Sequence, residues 1–214
     1  MKKMIKRLFI ILLMFLIFFI FSAFSYANSV SHDLANSVFR LHVIANSNSD
    51  ADQNLKYLVR DDVLKYMNEL CINCKTKSEA MMIAQKHTND FENIAKKTIE
   101  RNGYNYNVSV KIGNYSFPTK KYGDVLLPAG NYDALRIEIG KAEGRNWWCV
   151  MFPPLCFVDI SSGIVPEESK EVLQSNIPNE EEYLLINENK SDEIKLKFKI
   201  VELFQNVKLK IAQN

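Results

Sequence analysis

Four cysteines and three histidines are the residues of this 214-residue chain best suited to chemistry. Cys149 and Cys156 flank Pro153-Pro154, and Cys71-Ile72-Asn73-Cys74 is a CxxC pair. In an exported protein four cysteines point to two disulfides, with three possible pairings. The Pro-Pro bend favours Cys149–Cys156, which leaves Cys71–Cys74. Closing the eight-residue loop from Cys149 to Cys156 is worth roughly 2–3 kcal/mol. Zinc is an alternative for the CxxC pair, but Cys149 and Cys156 are too widely spaced to supply the usual second half-site. Buried free thiols at Cys149 and Cys156 are the other alternative. A cysteine hydrolase would need a thiolate beside a histidine. His42 is the candidate base, although bulky apolar neighbours keep a thiol protonated and inert. The sequence holds no G-x-S-x-G, H-E-x-x-H or glycine-rich phosphate loop. No catalytic residue, metal or cofactor is therefore assigned.

Recognition chemistry is better represented. Arg40 and His42 alternate with Phe39, Leu41 and Val43, so a strand would turn the two groups to opposite faces. Lys56 and Arg60 lie four residues apart on the helix expected next. Together Arg40, His42, Lys56 and Arg60 are expected to form a basic docking patch. The competing expectation pairs Arg40 with a carboxylate such as Asp61 or Asp159. Both tryptophans, Trp147 and Trp148, are candidate aromatic anchors for a partner. One is expected in the core and the other partly exposed.

The elements that must position these groups follow from pattern. Val38 to Ala45 reads as a strand, and Asn46-Ser47-Asn48-Ser49 as a turn and capping cluster. Asp50 with Gln53 fits a capping box. Leu55, Val59, Val63 and Met67 then mark the buried seam of a helix, with Lys56, Arg60 and Asp61 off it. A second helix is expected from Ser78 to Arg101, with His87 a satisfied core or boundary residue on its stripe. Val108, Val110 and Ile112, and later Leu135, Ile137 and Ile139, alternate as in half-buried strands. Gly113-Asn114 reads as a turn, and Lys141 to Asn146 as a hairpin loop leading to the uncharged strand Trp147 to Phe152. That strand must end at Pro153. Pro166-Glu167-Glu168-Ser169 looks like a helix start. Ser191 to Ile211 carries helical spacing, with strand as an alternative over Ile194 to Ile200.

Residues 1–27 read as an export signal or, alternatively, an uncleaved membrane anchor. Lys2, Lys3, Lys6 and Arg7 precede the apolar run Leu8 to Phe21, and Ser25-Tyr26-Ala27 fits a cleavage site. Four of the 27 bases and none of the 25 acids lie in this segment, which leaves 23 bases against 25 acids beyond it. A formal charge of −2 carries no electrostatic footprint for nucleic acid. Residues 28–37 are expected to be a polar lead-in.

Two composite motifs carry a resemblance. One is Phe39-Arg40-Leu41-His42-Val43-Ile44-Ala45-Asn46-Ser47-Asn48-Ser49-Asp50, followed by Asp52-Gln53, Leu55-Lys56 and Val59-Arg60-Asp61. The other is Leu127-Pro128-Ala129-Gly130-Asn131-Tyr132, then Ala134-Leu135-Arg136, then Asn146 to Asp159. In this order they resemble the stage II sporulation protein R family and cover most of residues 38–160. The resemblance implies an intercellular signalling protein of endospore formers, exported from the forespore into the space between the septal membranes. There it would activate a membrane-embedded aspartic protease that processes the mother-cell sigma-E precursor. It implies no reaction of its own and no nucleic-acid partner. Membrane contact is expected only through the N-terminal segment. The expected fold is α+β: a single domain over 38–214, with helices packed on an antiparallel sheet. An extracytoplasmic cysteine-dependent envelope hydrolase is the competing class.

Overall fold

The computed structural model describes residues 2–156, 165–178, 183, 186, 199, 201–205 and 207. The elements in order are α1 (Lys2–Ser37), β1 (Phe39–Ile44), α2 (Asp50–Leu70), α3 (Lys77–Lys86), α4 (Thr88–Arg101), β2 (Val108–Phe117), β3 (Lys120–Tyr122), β4 (Val125–Leu127), β5 (Gly130–Ile139), β6 (Asn146–Phe152) and α5 (Glu167–Asn176).

The fold is α+β, around a four-stranded sheet of order β2-β5-β1-β6. The sheet is mixed rather than antiparallel throughout, because β1 runs parallel to β5 and antiparallel to β6. The expected β5–β6 hairpin is therefore absent: β1 lies between them, and residues 140–145 cross its end. Gly113-Asn114 is no turn either. Both residues stay in register with β5 inside β2.

One face of the sheet is built as the alternation requires. Leu41, Val43, Leu135, Ile137 and Val110 share it and meet the α2 seam of Leu55, Val59, Val63 and Met67, all buried. The expected Ser78–Arg101 helix divides at His87 into α3 and α4. There Nδ1 of His87 lies 2.7 Å from Asp90 Oδ2 and 3.0 Å from the Tyr66 hydroxyl, a satisfied boundary residue. α5 begins directly after Pro166, as read from sequence.

The other face departs from expectation. Arg40, His42, Tyr132, Phe117 and Trp148 share it by register, and every residue of β1 is buried. The short β3–β4 hairpin folds over it with Tyr122, Val125 and Leu127 buried. A strand assumed to have one wet face is covered on both.

Residues 28–37 continue α1 and are no open lead-in. Val30 and Leu34 enter the core, Ser37 Oγ donates to Asn176 O (2.8 Å), and Lys77 Nζ bonds both Ala35 O (2.6 Å) and Asp133 (2.7 Å). The N-terminal part of α1 leaves its apolar side chains from Leu8 to Phe21 exposed, and the helix is long and apolar enough to cross a membrane. The expected helix over Ser191–Ile211 falls largely outside the described residues, as do Glu180-Glu181-Glu182 and Asp159; residues 201–205 are helical.

Candidate functional site

The turn after β1 is a brace. Ser49 caps α2, its Oγ accepting from Asp52 N. Asn46 Nδ2 and Ser47 Oγ donate to Asp52 Oδ2 at 2.8 and 2.6 Å. Partial burial pushes the Asp52 carboxyl up, but these bonds outweigh it and hold the group below its ordinary value. The same turn grips residues 140–145. Lys141 N donates to Asn46 Oδ1, Arg145 N to Asn48 Oδ1, and Gly144 N to Ala45 O. Any Cβ at Gly144 would collide with the Ser47 carbonyl, so the close approach requires glycine. This brace fixes where Arg145 and β6 stand relative to α2.

The predicted basic patch is taken apart by burial. Arg40 is 0% exposed, and no carboxylate is bonded to it among the described residues. Its guanidinium lies 4.1 Å from the Phe117 ring centre, 4.7 Å from Tyr132 and 5.8 Å from Tyr122, and Nη2 donates to the Tyr122 hydroxyl (2.6 Å). Nε and Nη1 find no acceptor. Three ring faces stand in for water, which suits a weakly hydrated guanidinium better than an ammonium. The Tyr122 hydroxyl passes the contact on to Trp148 O at 3.3 Å. Burial drives the Tyr132 phenol up to about 12, with the Arg40 charge pulling the other way. The docking expectation and the ion pair with Asp61 are corrected, because Arg40 is buried and Asp61 bonds Arg60 instead (2.6 Å); the other expected partner, Asp159, lies outside the described residues.

His42 is also inside. Its ring stacks on Trp148 at 3.7 Å, and Nε2–H donates to Asn146 Oδ1 (2.8 Å). Burial, aided by the charges of Arg136 and Arg40, lowers its pKa to about 4 despite the Asn146 bond. It is neutral at physiological pH. Lys56, expected off the seam, is 1% exposed. Its ammonium donates to Gln53 Oε1 (2.7 Å) and Arg145 O (3.1 Å), and lies 4.7 Å from the Tyr57 ring centre. Burial, then the charges of Arg145 and Arg60, lower its pKa to about 8. Arg60 packs over Trp147 at 4.3 Å.

What the structure does bring together is a groove of about 480 Å³. Successive residues of β6 point to opposite faces. Trp147 shares its face with Val43 and touches Tyr57 of α2, whereas Trp148 shares its face with His42. Both line the groove, together with Lys56 and Tyr57 on one side and Lys120 to Gly123 on the other. The groove therefore runs along the outer edge of β6. Both tryptophans are partly buried, where one core residue was expected. Sequence reasoning missed Lys120, Lys121 and Arg145, since nothing local links them to Trp147. Cys149 and Cys156 also line it, joined as a disulfide, and Cys71 is joined to Cys74, as expected.

The sequence model of the stage II sporulation protein R family matches residues 35–162. The chain is also 38% identical over 174 residues to stage II sporulation protein R of Bacillus subtilis (strain 168), covering 76% of this chain and 78% of that protein. This chain belongs to the stage II sporulation protein R family. No solved structure matches it. The family region runs from the end of α1 through β6, so it contains the Arg40 box, the brace and the groove. It stops before α5. As a member of this family the chain is a sporulation protein. Its apolar N-terminal helix fits an export signal, and its disulfides fit an exported domain.

Proposed function

We propose that this protein is an exported signalling ligand that acts from the forespore side of the sporulation septum. Its target is a membrane-embedded aspartic protease, and the outcome is processing of the mother-cell sigma-E precursor. Family membership across 76% of the chain is the observation that carries this reading. Two features of the chain support it. All four cysteines are paired in disulfides, so none offers the thiolate that an envelope hydrolase would need. His42, the candidate base, is stacked and buried.

Residues 1–27 serve as the export signal in this reading. Ala27 is fully buried in the folded chain, within a continuous helix. A peptidase needs extended backbone, so cleavage after Ala27 belongs to the stage of export, before α1 packs. Deleting the gene should abolish sigma-factor precursor processing, and supplying the full chain in the forespore should restore it. Intact processing in the deletion strain would refute the reading. Mass spectrometry of the exported form should give Asn28 as its first residue; a full-length, membrane-retained species as the active form would refute cleavage.

A further inference from the structure

We propose that the groove along β6 is a docking site for an extended acidic segment of a partner protein. The partner's identity as the protease rests on the functional reading above; the chemistry of the segment does not. Three observations carry it.

The first is the edge itself. β6 is the last strand of the sheet, and no described strand pairs with its outer side. An edge strand in a groove offers backbone donors and acceptors to an incoming strand. The second is charge. Lys56, Lys120 and Arg145 line the groove, with no aspartate or glutamate among its described lining residues. The chain beyond residue 27 is slightly acidic, so this is a local concentration of one sign. Lys56 is nearly fully buried, yet among the described residues its ammonium bonds only neutral oxygens. A carboxylate arriving there would meet a cation already stripped of water. The third is the aromatic lining. Trp147 and Trp148 supply large, partly buried contact area, and the Trp147 indole N–H finds no acceptor. A flat anionic lipid surface fits less well, because the cations line a concavity and a bilayer offers no strand to the edge.

Both tryptophans of the chain lie in this groove, so intrinsic fluorescence reports its occupancy directly. The exported protein would be titrated with an eight-residue peptide alternating glutamate and threonine, and with its lysine counterpart. The acidic peptide should shift the tryptophan emission saturably, more weakly as salt rises, and the basic one should not. The variant Arg145→Glu changes an exposed position and should keep the wild-type melting temperature. It should lose about tenfold in affinity for the acidic peptide. A control double variant on exposed helix positions, Lys86→Glu with Lys96→Glu, should bind as wild type. In sporulating cells the groove variant, exported and folded, should lose precursor processing. Equal binding of both peptides would overturn the proposal, and so would unchanged affinity in the groove variant. A response to phosphatidylglycerol vesicles but not to the peptide would replace it with a lipid surface. Intact processing after gene deletion would remove the protease reading and leave the peptide titration standing.

Discussion

Arg40 and Lys56 sit on opposite sides of the sheet, each with 1% or less of its surface exposed, and their surroundings differ in kind. Arg40 is enclosed by Phe117, Tyr122 and Tyr132 under the β3–β4 hairpin. Its side chain is among the largest that are fully buried, so it acts as a core residue carrying a charge. Lys56 borders an open groove and is held by two neutral oxygens. Its charge opposes folding, as the fall in its pKa to about 8 records. One buried cation is part of the packing, whereas the other is kept at a cost beside a site. Buried charge in this protein is thus no single signal; what surrounds it decides its role.

The largest effect expected from breaking the comparison is at Arg40. Arg40→Ala should empty the aromatic box and cost about 3–5 kcal/mol, the range of large-to-small core substitutions. Urea unfolding should show a lower midpoint at unchanged slope. A loss below about 1 kcal/mol would mean that the box collapses around the missing head. Lysine at this position should not rescue, because an ammonium cannot stack on three ring faces.

A smaller effect belongs to His42, which lies on the Arg40 side. Its folded pKa of about 4 lies below its ordinary 6.5. The unfolded chain therefore binds a proton first as pH falls, and stability drops between about pH 6.5 and 4. The slope from this group is at most about 1.4 kcal/mol per pH unit. Thermal melts of His42→Gln should be less steep than wild type through that window and parallel to it above pH 7. Identical profiles would show that folding leaves the proton affinity of this imidazole unchanged.

The smallest change sharpens the contrast. Lys56→Met keeps the stem and removes the charge, and should leave stability unchanged or raise it by about 1 kcal/mol at pH 7. The gap to wild type should close as pH rises from about 8 to 10.5, where unfolded Lys56 also loses its proton. The same variant should bind the acidic peptide more weakly. A marked destabilisation would place Lys56 with Arg40 as a structural cation.

Much of this protein was legible in the chain because it depends on near neighbours. Leu55, Val59, Val63 and Met67 recur at helical spacing, and they form the buried seam of α2. Leu135, Ile137 and Ile139 alternate, and they face the core. The Pro-Pro bend brings Cys149 and Cys156 together, and the bond is there. The basic, then apolar, N-terminal segment fits an export signal by composition.

Tertiary structure alone decided which segments lie side by side. Alternation in β1 assigns Arg40 and His42 to one face, but only the distant Lys120–Leu127 hairpin determines that this face is dry. β1 pairs between β5 and β6, more than 90 residues away in the chain, so no local pattern announces that β6 becomes an edge. The groove follows from that edge and from the Asn46–Ser49 brace that sets Arg145 beside Lys56. Periodicity reports the face on which a side chain stands; the segment that later covers that face is settled by non-local packing.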